Sequence, residues 1–580
     1  MSKVKCTIND TPLELEKGTT ILEAAHSIGV SIPTLCYMNL HDVGVENKPS
    51  SCRICVVEVE GRTNLVTACS ELVTDNMVIH TNTNRAINAR RLNLELLLSN
   101  HPKDCLVCAK NLNCELQKLA QELGVREIDY QGEVMKYEVD DKSHAIRRDP
   151  TKCIMCRRCE TACNKVQTVG VLSAVYRGFD TSVTPAFNLP LKDSSCTFCG
   201  QCVAVCPTGA IVEIDETKKV WDAIRDETKH VVVQVAPAIR VAIGEMFGIE
   251  PGTITTGKLV TALRNLGFDA VFDTDFAADL TVMEEASELV HRLTHNGRLP
   301  ILTSCCPAWV RFIEENFPDL LDVPSTCKSP QIMMGSMIKT YYAEKKDIPA
   351  KDIVVVSIMP CVAKKEEIKR PELRDNDFAD VDIVLSTREL GRMIKMFGID
   401  YANLEDSEFD SLMGESTGAG VIFGTTGGVI EASIRTAYEM VTNKELDKID
   451  FEQLRGLDNI RMATVNLGEK NLKIGIANGL GSSRMLLEGL RDGQFEFDAI
   501  EIMACPGGCI GGGGQPYHHG DSSILTKRRE AIYEQDRNKP IRKAHENPMI
   551  KKIYDEFLGE PYGKKAHQLL HTTYTPREKI

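Results

Sequence analysis

The apolar positions of this chain change period along its length. Up to about residue 80 they come in short strand-like runs, Val4 to Ile8, Leu13 to Leu15 and Cys55-Val-Val-Glu-Val. One helical stretch interrupts them at Ile21 to Ile28, with Thr20 and Glu23 spaced as a capping box at its start. This pattern predicts a small sheet packed on one helix. Ile87 to Leu98 and Glu115 to Leu123 then repeat at helical spacing and predict two amphipathic helices. Beyond residue 212 come buried-strand runs of the parallel-sheet kind: His230-Val-Val-Val-Gln-Val, Ile353-Val-Val-Val-Ser-Ile and Leu472-Lys-Ile-Gly-Ile-Ala. Helical stretches lie between them, such as Thr281 to Leu293 and Arg388 to Phe397. The expected fold class is α+β modules at the N-terminus followed by a large α/β region of two lobes with a site between them. The expected units are residues 1–80, 81–128, 129–212 and 213–580. No low-complexity linker separates them, which predicts tight packing of one unit on the next.

A length of 580 residues leaves room for three or more domains, and 43% hydrophobic with 26% charged residues describes an ordinary globular chain. The formal charge of −14 argues against nucleic acid as a principal partner, since phosphate binding needs a basic surface. No stretch approaches the ~18 uninterrupted apolar residues that span a bilayer, and the N-terminus lacks an apolar signal segment. A cytoplasmic protein without membrane contact is expected.

The 22 cysteines change the picture most. C-x2-C clusters in a long chain without a signal segment suit metals better than disulfides. Cys153, Cys156, Cys159 and Cys163 read C-x2-C-x2-C-x3-C, and so do Cys196, Cys199, Cys202 and Cys206, with Pro207 following. That is the spacing of a bacterial-type pair of cubane clusters, in which the fourth cysteine of each run serves the other cluster. Cys36, Cys52, Cys55 and Cys69 loosely fit a 2Fe–2S site, and the segment resembles a plant-type ferredoxin domain with altered spacing; a structural zinc site is the alternative. Cys105, Cys108 and Cys114 are one ligand short of four, and His101 stands where the fourth would be. Between two other cluster modules, a His-ligated 4Fe–4S cluster is the better reading, because an imidazole in place of a thiolate tunes the potential. A chain that strings several clusters together moves electrons.

Three motifs in the last unit are Thr303-Ser-Cys-Cys-Pro-Ala-Trp309, Met359-Pro-Cys-Val-Ala-Lys-Lys-Glu-Glu367 and Met503-Ala-Cys-Pro-Gly-Gly-Cys-Ile-Gly-Gly-Gly-Gly-Gln-Pro516. Cysteines so far apart meet only in the folded state, and Gly511 to Gly514 would allow close backbone approach to a bulky cofactor. In order and content the motifs resemble the signatures of the iron-only (FeFe) hydrogenases, and the resemblance covers essentially the whole chain, with the four accessory clusters of the longer clostridial-type enzymes. It implies an H-cluster, a 4Fe–4S cubane joined to a diiron unit that carries CO, CN and a dithiolate bridge. Cys306, Cys361, Cys505 and Cys509 would be its ligands, with Cys509 bridging, and maturation proteins would build the diiron unit. The implied activity is reversible H2 oxidation and proton reduction.

The same resemblance implies the remaining site residues. Cys305, beside a ligand without being one, matches the proton-relay thiol, from which protons would pass through Glu285, Ser325 and Glu288 toward the surface near Arg292. Lys364 matches the cyanide-binding lysine, and Pro237 with Ala238 would offer a backbone approach. Some relatives carry serine at the Ala238 position, so a side-chain hydrogen bond is missing there. Met359, Phe423 and Met503 would form apolar wall. Cys6 and Cys327 are expected to be buried structural thiols. His291 and His295 have the i, i+4 spacing of a zinc pair but lack the glutamate of H-E-x-x-H. Leu472 to Ser483 reads strand, glycine-rich turn, helix, but Arg484 stands where a dinucleotide fingerprint needs glycine, so no nucleotide or flavin is expected in this chain.

Two rivals are the large subunits of NADH or formate dehydrogenases, which lack the three motifs, and the non-catalytic hydrogenase-like protein of cytosolic iron–sulfur assembly. The 2Fe–2S segment, Cys305 and Lys364 argue against the second. The electron partner is expected to be ferredoxin for a stand-alone enzyme, or a flavoprotein NAD(P)H-binding subunit with a small Fe–S subunit in a complex open to electron bifurcation. The tail Leu569-Leu-His-Thr-Thr-Tyr-Thr-Pro resembles the multisubunit group.

Overall fold

The computed structural model describes residues 2–40, 44–303, 305–375, 378–446, 448–468 and 470–579; Ser304 of the first motif lies outside them. The N-terminal unit is a five-stranded sheet whose central strands are Lys3–Ile8 and Met77–His80, paired in parallel. Helix Ile21–Ser27 packs on it, and its start is the expected capping box: Thr20 accepts from the Glu23 N–H while the Glu23 carboxylate accepts from the Thr20 N–H. Helix Asn84–Ser99 follows. The expected amphipathic character fails here, because Ile87, Leu92 and Leu96 are exposed while Ala86, Arg90 and Leu94 face inward. Buried Arg90 justifies its place by donating to the carbonyls of Val56 and Thr81.

The last unit contains two four-stranded sheets. The first is all parallel, in the order Ala270–Asp273, His230–Val235, Ile353–Met359, Ile383–Ser386. The second runs Ile301–Leu302, Ala499–Met503, Lys470–Asn478, Ile460–Leu467, with only the last strand antiparallel. The near-continuous valine and isoleucine runs are thereby buried on both faces. Helix Thr274–Thr294 starts seven residues before the expected Thr281, where the Asp273 carboxylate caps it by accepting from the Asp275 N–H. Ridged contacts with helices Pro330–Met337 and Gly428–Thr442 bury most of its length.

Units are joined by buried ion pairs rather than linkers. Arg158 of the two-run segment donates both Nη atoms to Glu115 of the preceding segment, at 2.7 and 2.9 Å. Glu213 ends strand Ile211–Glu213, which pairs with Ile146–Arg148 of the two-run segment, and it accepts from Arg388 of helix Thr387–Met396 at 2.7 Å. The glycine-rich turn at Gly479 is also an inter-unit contact: the Leu480 N–H donates to Gln167, and Arg484 donates to Thr168 and Asn316. Among the described residues no helix is long and apolar enough to cross a membrane.

Candidate functional site

Parallel strands leave their carboxyl ends open to ligands, and four sequence motifs sit at such ends. Thr303 onward follows strand Ile301–Leu302, Pro360-Cys361 follows Ile353–Met359, Cys505 follows Ala499–Met503, and Pro237-Ala238 follows His230–Val235. Two come from each sheet, so the site lies where the two lobes meet. Cys306, Cys361, Cys505 and Cys509 gather there: burial raises each thiol pKa, and for Cys361, Cys505 and Cys509 the charges of others in the set add to it. For Cys306 the backbone N–H groups of Ala504, Trp309 and Ala308 oppose that rise, two of them from the first turn of helix Pro307–Asn316. Such donors favour a thiolate, the form that binds metal.

Around these thiols, Ala238, Phe423 and Met503 share one apolar cluster against which Cys305 and Cys509 pack. Met359 instead joins the core of the first sheet. Lys364 is buried, with Nζ 3.0 Å from the Cys305 carbonyl and 2.8 Å from Glu367. Burial would lower its pKa, but Glu367 wins and holds the ammonium above its usual value. A Cβ on Gly511, Gly512, Gly513 or Gly514 would strike Pro506 O, Pro360 O, the Gly200 backbone or Ser386 Cβ, at 2.2, 2.3, 2.7 and 2.8 Å. These glycines let their loop pack closely on the backbone of Pro360 and Gly200.

Cys305 is a thiol rather than a thiolate, because burial raises its pKa and Glu285, Cys509 and Cys306 add to it. Glu285 and Glu288 are both buried on helix Thr274–Thr294. Ser325 donates to Glu288 Oε2 at 3.0 Å, and Arg292 pairs with Glu288 Oε1 while donating to the carbonyls of Val323 and Pro324. Cys305 and Glu285 are thus joined electrostatically, and Ser325, Glu288 and Arg292 by hydrogen bonds.

Of the other cysteines, the two four-cysteine runs and the set Cys36, Cys52, Cys55 and Cys69 come together in space. Cys153, Cys156 and Cys159 line one cavity with Cys206 of the second run, and Cys163 stands electrostatically with Cys196, Cys199 and Cys202. The runs are therefore crossed. Both take the same backbone path, with left-handed φ at the second and fourth residues after the first cysteine: Met155 (55°) and Arg157 (60°), then Phe198 (55°) and Gly200 (76°). In each, an N–H turns back to the first thiol at 3.4 Å, from Met155 to Cys153 and from Phe198 to Cys196. Cys36, Cys52, Cys55 and Cys69 are all buried, and hydrogen bonds from Cys52 and Cys69 lower the Cys36 pKa. His101 precedes Cys105, Cys108 and Cys114 in sequence; its Nδ1 is buried without a hydrogen-bond partner among the described residues. Burial lowers its pKa, which keeps the ring in its neutral, ligating form. An orphaned imidazole nitrogen, nest-like loops and grouped thiols all suit iron–sulfur clusters.

Cys6 and Cys327 are buried as expected. The rings of His291 and His295 stack 4.4 Å apart. Several residues that pattern reading missed lie at these sites. Lys110 is buried with its ammonium 3.1 Å from the centroid of the Tyr517 ring, and burial lowers its pKa to about 8. Thr326 donates to Glu288, and His571 lies between Thr326 and Glu284; only the tail motif holding His571 carried any signal in the sequence.

Family models match along the whole chain. Residues 229–513 match the iron only hydrogenase large subunit, C-terminal domain, and 522–577 the iron hydrogenase small subunit. Residues 1–84 match a 2Fe-2S iron-sulfur cluster binding domain, 90–129 the NADH-ubiquinone oxidoreductase-G iron-sulfur binding region, and 152–210 a 4Fe-4S dicluster domain. The NADP-reducing hydrogenase subunit HndD of Solidesulfovibrio fructosivorans is 56% identical, with all of both chains covered. Iron hydrogenase 1 of Clostridium pasteurianum is 39% identical over 98% of this chain and 99% of its own. Cytosolic iron-sulfur assembly component 3 of mouse is 30% identical over 67% of this chain and 84% of its own. Among solved structures, apo [FeFe]-hydrogenase HydA1 from Chlamydomonas reinhardtii superposes with a TM-score of 0.56 at 44% identity, covering 62% of this chain and 99% of that one.

Proposed function

Since the chain belongs to the iron-only (FeFe) hydrogenases and is an oxidoreductase acting on H2, we propose a role for each part of its site. Cys306, Cys361, Cys505 and Cys509 hold the H-cluster, which when bound supplies the place where the H–H bond is broken or formed. Lys364 offers its ammonium to the anionic CN ligands, and Pro237-Ala238 its backbone. Ala238, Phe423 and Met503 exclude water, with Met359 supporting that wall from the core behind it. Cys305 takes or gives the proton at Sγ, and Glu285, Ser325, Glu288 and Arg292 carry it to the surface.

Electrons travel through one 2Fe–2S cluster on Cys36, Cys52, Cys55 and Cys69, one 4Fe–4S cluster on His101, Cys105, Cys108 and Cys114, and two crossed cubanes. The units 1–80, 81–128, 129–212 and 213–580 correspond to these stations and the catalytic region. The observation that carries the reading is the place of Cys305: it packs with Cys509 against Ala238, Phe423 and Met503, its carbonyl accepts from Lys364 Nζ at 3.0 Å, and burial pushes its thiol pKa up with buried Glu285 adding to the rise. Cys305→Ala should lose 10²- to 10⁴-fold in turnover, the usual worth of a positioned acid–base group, with the H-cluster infrared spectrum retained. Near wild-type turnover in that loaded variant would refute it.

The likeness to a chain named as a subunit of an NADP-reducing hydrogenase favours a cytoplasmic complex in which a flavoprotein NAD(P)H-binding subunit and a small Fe–S subunit exchange electrons with this chain, with bifurcation through ferredoxin as one mode. Purification of the native protein tests this: a co-purifying flavoprotein supports it, and a lone chain fully active with ferredoxin overturns it.

A further inference from the structure

Glu288 is not the end of the buried hydrogen-bond chain. The C-terminal tail runs beside the loop that carries Ser325: Thr572 N–H donates to Thr326 O, Lys328 N–H to Leu570 O, and the Tyr574 hydroxyl to Ser325 O. This pairing sets the His571 side chain, 1% exposed, between two acids of helix Thr274–Thr294. Its Nδ1 lies 2.7 Å from Thr326 Oγ1, which lies 3.2 Å from Glu288 Oε2. Its Nε2 lies 2.9 Å from Glu284 Oε2. Glu284 also accepts from the Tyr554 hydroxyl and from the Tyr562 N–H, so its carboxylate is surrounded by donors.

Hydrogen counting allows two states of this chain. The Thr326 hydroxyl has one proton to give. If it donates to Glu288, then Nδ1 must donate to Oγ1, and Nε2 must still donate to Glu284; the ring is an imidazolium and Glu288 a carboxylate. If it donates to Nδ1, the ring is neutral, Nε2–H still faces Glu284, and Glu288 carries a proton that it donates to Oγ1. The states differ by one proton moved from Glu288 to His571. The acid O–H bond of Glu288 breaks, Thr326 takes that proton as its own passes to Nδ1, and no electron is exchanged.

We propose that His571 is a second proton acceptor of the relay, coupled to Glu288 through Thr326 and held as an imidazolium against Glu284. The proposal rests on the relay reading above. H2 oxidation releases two protons, and a site that unloads Glu288 restores its carboxylate before the first proton has reached solvent. His571 touches no reacting atom, so it is a positioning residue that acts through Glu288. The charged and titratable groups facing it are Glu284, Glu288 and Arg292 on the long helix, Cys327 across the tail pairing, Tyr554, Tyr562, and His567, whose ring stacks on it at 4.4 Å.

The test uses the full chain loaded with its cofactors, with infrared spectra confirming the H-cluster. His571→Gln keeps an N–H for Glu284 and an oxygen for Thr326 but takes no proton. It should lower kcat for H2 oxidation three- to tenfold, raise the solvent isotope effect, leave KM for H2 unchanged and change the shape of the pH–rate profile. Thr326→Val removes the coupling hydroxyl and should give the same loss, with the double variant no worse than either. Should His571→Gln fail to load, Thr326→Val carries the test alone. A wild-type rate and profile in both variants, a loss equal at every pH, or additive losses would overturn the proposal. Glu288→Gln separates the two readings: wild-type turnover there sinks the relay itself, whereas loss there with unaffected His571 and Thr326 variants sinks only the branch.

Discussion

Arg388→Met is expected to loosen the docking of the two-run segment on the catalytic lobe by about 3 kcal/mol. Arg388 is buried and donates to Glu213 at 2.7 Å, to Gly513 O at 2.8 Å and to Gln515 O at 2.5 Å, with its guanidinium 4.3 Å from the Tyr517 ring centroid. One side chain thus holds a strand of the electron-carrying module, the glycine run beside Cys509, and a tyrosine between them. Removing one partner of a buried ion pair costs about 3–5 kcal/mol, because a charge is left uncompensated. Each stranded carbonyl adds about 1–3 kcal/mol. Arg392 remains 3.1 Å from Glu213 and offsets most of the first term, so the two stranded carbonyls dominate and the sum is about 3 kcal/mol. Glu213→Gln keeps the acceptor oxygen and should cost less, about 1–2 kcal/mol.

Anaerobic urea unfolding followed by cluster absorbance reads both variants, and the double variant gives the coupling between them. Burial alone would raise the Glu213 pKa, but Arg388 and then Arg392 hold it well below the usual range. Its contribution is therefore complete above the unfolded-state value of about 4.3 and is lost as pH falls through the folded-state value. The Glu213→Gln variant should lack that acid-side loss. A midpoint for Arg388→Met within about 1 kcal/mol of wild type would refute the argument.

Further expectations concern electron delivery and cofactor retention. A Cβ at Gly200 would lie 2.5 Å from Val362 Cγ2 at a φ of 76°, so Gly200→Ala should slow dye-to-H-cluster electron transfer while H2–D2 exchange persists; equal slowing of both contradicts this. His101→Ala should change the EPR spectrum of the cluster on Cys105, Cys108 and Cys114, and an unchanged spectrum rules out the imidazole ligand. Lys364→Met leaves Glu367 buried with a lost partner and should weaken retention of the diiron unit, read as fainter CO and CN infrared bands at equal protein. Full band intensity would show that the ammonium is dispensable.

Much of this protein was legible in local sequence because its main signals are local. Strand runs such as Ile353 to Ile358 and the Thr20–Glu23 capping box depend on neighbours a few residues away, and the structure keeps them. Cysteine spacing is equally local where a loop wraps one cluster, since C-x2-C fixes how the backbone must turn. Spacing reached the crossing of Cys206 and Cys163 as well, but only by analogy with other paired runs.

What the tertiary structure decided are the contacts between segments hundreds of residues apart. The glycines of 511–514 show only as small residues in sequence; their purpose, backbone packing against Pro360 and Gly200, needed both partners in place. Arg90, Lys110 and Arg388 look like surface cations until their burial and acceptors are seen. His571 stands 245 residues from Thr326 and 287 from Glu284. No periodicity links such positions, because a hydrogen bond depends on distance in space, and only the folded tail brings those three groups within reach.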